Sequence, residues 1–342
     1  KLLFAKKGST LSVEGTHHYL SGLIDEAAGG NITVSNCVSN VNITSTHNDP
    51  CRAAGLVNYV FTNAHATIND CIVKGSINAT TDKGQLGMGG FVYVQNGTLV
   101  MNNCLYAGNN NAYSDGEKNN TFAPTNTSGG TTTLNNCYYL NACGEVQGEQ
   151  ITSEQLKSGE VTKKLQGNRT DQCYWAQTLG ELTDLYREAD KGKTNYVYHD
   201  GSKWVCDDFR LIDGTPLPIG LDFLAARATY ERPFSSKNNA TLCLPYELPC
   251  DGSFTVYNLS GGSKTSISFK ETKDKLEAYR PYYITADGTP QLGGNNLQVK
   301  AYKDDGLKQP AGAFRFVGTV TGVDNATAAA DNAYILQPDG KF

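Results

Sequence analysis

The sequence predicts an all-β protein: an N-terminal β-solenoid of about 33-residue repeats, a C-terminal antiparallel β-sandwich, and short helices in the connector between them. Three observations predict it. The chain is poor in charge and rich in turn residues, a short Asn-Cys pattern returns at a fixed spacing, and the last third reads as short alternating segments separated by turns.

Charged residues make up 18%, and Asn, Thr, Ser and 36 Gly take their place, residues that suit turns and solvent-facing strand positions better than helix interiors. At 342 residues the chain exceeds what one hydrophobic core usually organises, so two or three units are expected. The net charge of -5, with no cluster of Lys and Arg, argues against a nucleic-acid partner and against a membrane surface. No apolar run reaches the length of a membrane span. The opening Lys1-Leu2-Leu3-Phe4-Ala5-Lys6-Lys7 is too short for the apolar stretch of a signal peptide, so the chain reads as a mature protein or an excised fragment. Ten Asn-x-Ser/Thr sequons, at Asn31, Asn42, Asn78, Asn96, Asn119, Asn126, Asn168, Asn239, Asn258 and Asn325, suit glycosylated surface loops, although a chain this rich in Asn and Thr also makes sequons by chance.

One pattern occurs four times: Val34-Ser35-Asn36-Cys37, Ile68-Asn69-Asp70-Cys71, Met101-Asn102-Asn103-Cys104 and Leu134-Asn135-Asn136-Cys137. The Cys spacings are 71 − 37 = 34, 104 − 71 = 33 and 137 − 104 = 33. Upstream of the first three stand Gly22-Leu23-Ile24, Gly55-Leu56-Val57 and Gly90-Phe91-Val92, while the fourth copy keeps only Gly129-Gly130. Ankyrin repeats share this period, but the units lack helix-period apolar stripes, and short alternating strands such as Ile32 and Val34 against Thr33 and Ser35 fit instead. A repeat that cannot bury its apolar face alone must stack on its neighbours, which places Cys37, Cys71, Cys104 and Cys137 in one column. Stacked strands lie about 4.8 Å apart, whereas a disulfide needs Cβ atoms roughly 3.5 to 4.5 Å apart. The four thiols are therefore expected buried and unpaired, as small hydrophobes. The Asn or Asp before each Cys is expected at a strand-end turn, bonding nearby backbone amides.

The pattern of Gly-Leu/Phe-Ile/Val, a loop, then apolar-x-Asn-Cys resembles the GLUG repeat of bacterial surface proteins and adhesins, over Ser21 to about Leu140. The lost Leu/Phe-Ile/Val of the fourth copy and the Asn-rich insertion from Asn109 to Thr127 depart from it. The resemblance implies a β-solenoid at an extracellular or bacterial cell-surface location. Residues 1–143 form this array on that reading, 144–222 a cap and connector, and 223–342 a sandwich, possibly truncated.

In the connector, Ser153 to Gly159 and Glu160 to Gly167 each carry a helical start and a Gly stop. Asp200-Gly201 is expected to turn Tyr196-Val197-Tyr198 onto Lys203-Trp204-Val205. From Phe223 onward the expected strands are Ala226 to Phe234, Thr241 to Tyr246, Phe254 to Leu259, Thr265 to Phe269, Tyr279 to Ile284, Asn296 to Tyr302, Ala313 to Val320 and Ala333 to Leu336. The last is expected to be an edge strand left open before an Asp339-Gly340 turn. Ala228-Thr229-Tyr230-Glu231-Arg232, Thr241 to Tyr246, Arg280 to Ile284 and Trp175-Ala176-Gln177 resemble parts of the β-domain and helical caps that accompany such repeats in Bacteroidetes-type surface proteins.

The chemistry a reader would look for is thin. A solenoid polysaccharide lyase or glycosidase needs paired carboxylates, or Ca²⁺ with Lys or Arg, on one face. From Ser21 to Leu140 the acids (Asp25, Glu26, Asp49, Asp70, Asp82, Asp115, Glu117) show no phased pairing, and the only Arg is Arg52. His17-His18 lacks a companion metal motif, and Asp207-Asp208 and Asp304-Asp305 suit solvated turns better than a Ca²⁺ site. Gly84, Gly87, Gly89 and Gly90 resemble a phosphate loop in composition alone, and Cys243 and Cys250 suit either a small disulfide loop or two free thiols. The pairing of Cys51, Cys143, Cys173 and Cys206 is open as well. Tyr196, Tyr198 and Trp204 are candidates for an aromatic sugar platform, with cross-strand packing as the other reading. The expectation is a surface adhesin or scaffold that binds a host or microbial glycan or surface protein through solenoid or sandwich loops, without catalytic residues, metal or cofactor. The alternative is a β-solenoid polysaccharide lyase or glycosidase.

Overall fold

A computed structural model describes residues 10–13, 18–45, 51–79, 87–94, 96–109, 119–123, 129–232, 239–263, 265–273, 275–303, 307–319 and 322–336. Strand predominates, and the chain divides into two compact units, residues 1–153 with 164–167, and residues 154–163 with 168–342.

In the first unit every described sheet is parallel, and successive repeats donate one strand each. The clearest sheet runs Gly30–Ser35, Ala64–Asn69, Thr98–Asn102, Thr131–Asn135, in a register that sets Val34, Ile68, Met101 and Leu134 side by side. Just after the Cys column lies a second, of Val38–Ser39, Ile72–Val73, Leu105–Tyr106, Tyr138–Tyr139 and Glu149–Gln150. The 33-residue spacing is thus the length of chain needed to return to the same register. Alternation within each strand sends Val34, Ala66, Ile68, Leu99 and Met101 into an apolar core with Phe91, Tyr106 and Phe122.

Two local devices hold the repeat. The first is glycine, because a Cβ on Gly22 would overlap the Gly55 carbonyl oxygen, one on Gly55 that of Gly90, and one on Gly90 that of Thr121. Only glycine lets neighbouring chains pass so closely. The second is the residue before each Cys: Asn36, Asp70, Asn103 and Asn136 all sit in the left-handed region, at φ 54, 51, 53 and 54°. Asn and Asp tolerate that turn at least cost.

The fourth repeat corrects the sequence reading. The Phe91 amide donates to the Phe122 carbonyl just as Leu56 donates to Phe91, so Thr121-Phe122-Ala123 is the true counterpart of Gly90-Phe91-Val92. Gly129-Gly130 instead precedes Thr131, in register with Gly97 ahead of Thr98. Thr121 carries a Cβ where the earlier copies have glycine, and its hydroxyl donates to the Glu145 carbonyl at 2.8 Å. Beyond it the Gln147 amide takes the place of a strand, accepting from Phe122 N and Ala123 N at 3.0 and 2.9 Å and donating to the Ala123 carbonyl at 3.1 Å.

In the second unit a six-stranded sheet runs in the order Asp184–Leu185, Trp175–Thr178, Tyr196–His199, Trp204–Ile212, Phe223–Glu231, Gly294–Val299. It is mixed and not wholly antiparallel, since Trp204–Ile212 and Phe223–Glu231 are parallel. The expected boundary at residue 222 falls between these two strands of one sheet. A four-stranded antiparallel sheet (Asn239–Leu242, Tyr282–Thr285, Thr255–Gly262, Ile267–Thr272) shares an apolar core with it through Phe209, Phe223, Tyr246, Val256 and Ile284. A hairpin follows, of Lys308–Ala311 and Phe314–Val317.

The helices form at Ser153–Ser158 and Glu160–Gln166. Buried Gln177 explains Trp175-Ala176-Gln177, for its amide accepts from Thr162 Oγ1 at 2.6 Å and donates to the Leu156 and Glu181 carbonyls at 2.7 and 2.6 Å. At the C-terminal end the expected strand Ala333 to Leu336 is absent. A short helix, Asn325–Ala330, is capped by Asp324, and the residues after it are exposed and irregular, with Asp339-Gly340 outside the described residues. The Asp cap and the alanine run favour helix over strand.

Candidate functional site

The outward positions of the Gly30–Ser35 sheet form three columns of side chains. They are Asn31, His65, Thr98, Thr131; then Thr33, Thr67, Val100, Thr133; then Ser35, Asn69, Asn102, Asn135. All twelve are exposed or half-buried, and apart from His65 none is ionisable. Hydrogen bonds run along the columns rather than outward. Asn102 donates to Asn69 at 2.8 Å, Asn135 to Asn102 at 2.9 Å, Asn69 to the Ser35 hydroxyl at 3.4 Å, and His65 Nδ1 lies 2.6 Å from Thr98 Oγ1. Beside them Asn136 donates to Asn103 at 2.8 Å, so the turn residues bond from repeat to repeat and not only to local backbone. The result is a face made mostly of hydroxyls and amides, with His65 and Val100 among them, held in register by the backbone. Sequence reasoning passed over this face, though its signal lies two, four and six residues before each phased Cys.

Behind the face stands the Cys column. Cys37, Cys71, Cys104 and Cys137 are free, and the Cys71, Cys104 and Cys137 sulfurs lie 3.8, 3.7 and 3.7 Å from the Val34, Ile68 and Met101 carbonyl oxygens one repeat back. Three are buried, but Cys37 is half-exposed, contrary to expectation, because Val38–Ser39 is the outermost described strand of its sheet and leaves Cys37 covered on one side only. A hydrogen bond from Cys71 lowers the Cys37 thiol to about 7, and the same contact together with burial pushes Cys71 well up. No disulfide joins Cys243 to Cys250, so they close no loop, and burial pushes Cys143, Cys206 and Cys243 up to about 12.

The candidate aromatic platform is not on the surface. The hairpin pairs His199 with Trp204 and Tyr198 with Val205 as expected, but Tyr196, Tyr198 and Trp204 are 4, 8 and 9% exposed. Both faces of the hairpin are covered. Tyr196 and Tyr198 pack at 6.1 Å with Tyr186 beside them, and Trp204 enters the core shared by the two sheets. Burial, then the Asp207 carboxylate, pushes the Tyr198 phenol up to about 12. Asp207 accepts from the Tyr198 hydroxyl and Gly192 N, and Asp208 from Thr194 and Arg227, so this acidic doublet is consumed by the protein itself. Among the described residues no group of three or more His, Cys, Asp or Glu is placed to hold a metal. His17, Asp304, Asp305 and Gly84 lie outside the described residues, as does the side chain of His18, and Gly87 and Gly89 lie within a strand.

The second unit carries two open clefts. One, of about 900 Å³, is lined by Arg210, Arg227 and Arg232, which pair with Glu231, Asp208 and Asp213 respectively and so neutralise one another. The other, of about 350 Å³, lies among Asn258, Glu277, Arg280, Lys308 and Gln309. No helix among the described residues is long and apolar enough to cross a membrane. No protein-family model matches the chain, and no curated protein or solved structure matches it.

Proposed function

We propose that the protein is a surface-displayed adhesin or scaffold whose first unit is a β-solenoid of GLUG-like repeats and whose second is a β-sandwich, and that the solenoid binds an uncharged glycan along its polar face. The observation that carries the reading is the register of that face: Thr33, Thr67 and Thr133 in one column and Asn69, Asn102 and Asn135 in the next, fixed by a parallel backbone and by hydrogen bonds between them. Such a surface offers donors and acceptors that recur from repeat to repeat, broken in the Thr column by Val100, which suits a polymer that repeats its own hydroxyls. It has little to attract an anionic one. Its side chains are held in place before any ligand arrives, so less ordering entropy is lost on binding. The phased Gly-Leu/Phe-Ile/Val and Asn-Cys elements, which resemble GLUG repeats, support an extracellular or cell-surface setting. Asp25 is held by the protein itself, accepting from Asn58 at 3.0 Å, which supports binding over turnover at that position.

The test is sedimentation of the whole chain with insoluble neutral and acidic polysaccharides, repeated with Thr33→Lys and Thr133→Lys. Retention on a neutral polymer is expected, reduced roughly tenfold by either outward-pointing lysine with an unchanged melting temperature. Steady turnover of any glycan, abolished by one Asp, Glu or His substitution, would replace this reading with a lyase or glycosidase. Equal retention of wild type and both lysine variants would remove the face from the binding.

A further inference from the structure

We propose that the cleft in the second unit formed by the strand Thr255–Gly262, the turn at 277–280 and the strand Lys308–Ala311 binds a carboxylate carried on a sugar ring, that is, a hexuronate residue of an acidic glycan. This does not rest on the polar face of the first unit, which is a different surface with different chemistry.

Arg280 and Lys308 face one carboxylate, Glu277, in this cleft. Arg280 donates to Glu277 at 2.9 Å and, through its second amino group, to the Asn258 side-chain carbonyl at 3.3 Å. Among the described residues Lys308 pairs with no carboxylate, and its side chain is exposed. Among the described residues one positive charge is therefore left over at the rim.

Hydrogen bonding points the same way. Arg280 Nε and Gln309 Nε2, both from residues that line the cleft, are buried and find no acceptor. A buried donor without a partner is costly, and two from one small cleft call for an acceptor that serves both. A carboxylate offers two oxygens with about four lone-pair sites, in a plane that matches the guanidinium fork. Both nitrogens are screened from bulk water, so reaching them takes a shift of the Arg280 or Gln309 side chain about its own bonds. Both side chains are half-buried, and Arg280 would exchange its bonds to Glu277 and Asn258 for the ligand's as it turns.

The backbone places Arg280 with unusual firmness. Tyr279 adopts φ 59°, a left-handed conformation that is rare for a bulky residue, and is pinned there by its amide on the Leu244 carbonyl at 2.6 Å and its hydroxyl on the Lys300 carbonyl at 2.8 Å. What surrounds the carboxylate site suits a sugar. Asn258 and Gln309 line it with amides, Leu259 and Pro310 add apolar surface, and about 350 Å³ lies at the small end of ligand pockets.

Titration of the full chain with oligogalacturonate, its methyl ester and neutral galactose oligomers, followed by calorimetry, tests the site. The acid is expected to bind, and the ester and the neutral oligomer to bind at least roughly tenfold more weakly. Lys308→Gln, at an exposed position where folding is not at stake, should weaken the acid about tenfold, and Arg280→Lys, which keeps the charge but loses the fork, should do the same. Equal binding of acid and ester, or wild-type affinity in both variants, would overturn the proposal. So would N-acetyl dipeptides with free carboxylates binding as tightly as the uronate, since the site would then not recognise a sugar. Thr33→Lys is expected to leave uronate binding intact and Lys308→Gln to leave neutral-polymer retention intact, so either reading can fail without the other.

Discussion

The two units solve the same problem, holding a β-rich chain in register, by opposite means. In the first, bonds between side chains join residues 33 or 34 positions apart, as Asn102 to Asn69, Asn135 to Asn102 and Asn69 to Ser35. In the second, ion pairs dominate among the described residues, Arg227 with Asp208 and Lys275 with Glu247 among them. A repeat makes one contact many times, so a neutral amide that satisfies its own copy serves better than a charge, which would meet its like at every turn. A sheet of unique strands has no such constraint. The ladder should therefore be indifferent to salt and intolerant of changes in backbone spacing, and the second unit the reverse.

The largest effect expected is at Gly55, where a Cβ would overlap the Gly90 carbonyl and meet Val73. Gly55→Val should cost about 3 kcal/mol or more, whereas Gly29→Ala, whose Cβ would have 3.7 Å to its nearest neighbour, should stay within about 0.5 kcal/mol. The two tryptophans, Trp175 and Trp204, both lie in the second unit, so urea unfolding separates the units optically. Gly55→Val should shift the far-ultraviolet circular dichroism transition and leave that of tryptophan fluorescence in place. A shift of both would mean that the units unfold together.

Next comes the ladder itself. Asn102 donates to Asn69 and accepts from Asn135, and Asn102→Ala should cost about 1 to 2 kcal/mol, unchanged between low and high salt. Lys275→Gln, in a pair at 2.5 Å whose side chains are both 54% exposed, should cost less than about 1 kcal/mol, and that only at low salt. A strongly salt-dependent Asn102→Ala would break the contrast between the units.

Much of this was legible before the structure, for reasons that can be named. The Asn-Cys phase could be read because one side of it needs a residue that tolerates the left-handed turn and the other a small residue that fits the core, and neither requirement can drift without breaking the stack. The Asp200-Gly201 hairpin and the two short helices were legible from turn and cap chemistry, which is local. What escaped was set by neighbours. Thr121-Phe122-Ala123 lacks the glycine signature and is marked as the counterpart only by the bond from Phe91 N to the Phe122 carbonyl, a contact no pattern shows. Tyr196, Tyr198 and Trp204 look like a platform in a hairpin read alone and are covered once both faces are packed. The uncharged face was invisible for the opposite reason. Ser, Thr and Asn at alternate positions look like ordinary solvent-facing strand until four copies are set side by side.

The smallest perturbation is chemical and acts at the end of the Cys column. Acidity and access do not coincide there. Cys37 and Cys137 both have lowered thiols, each because a neighbouring thiol, Cys71 or Cys104, donates to it, but Cys37 is half-exposed while Cys137 is 4% exposed. The thiolate is the nucleophile, so a lowered thiol reacts only where reagent can reach it. Native protein treated with iodoacetamide should take one label within the column, at Cys37, with Cys71, Cys104 and Cys137 labelled only after denaturation. The sign of the pH dependence follows from the direction of the shift. With its thiol near 7 rather than near 9, Cys37 is mostly thiolate at pH 8, and its labelling rate should fall roughly tenfold between pH 8 and pH 6. Cys71→Ser replaces the donor with another hydroxyl donor and should move that midpoint little, whereas Cys71→Ala removes it and should move the midpoint upward. A midpoint near 9 in the wild type, or a Cys71→Ala profile that coincides with it, would show that the thiols of the column do not bond to one another.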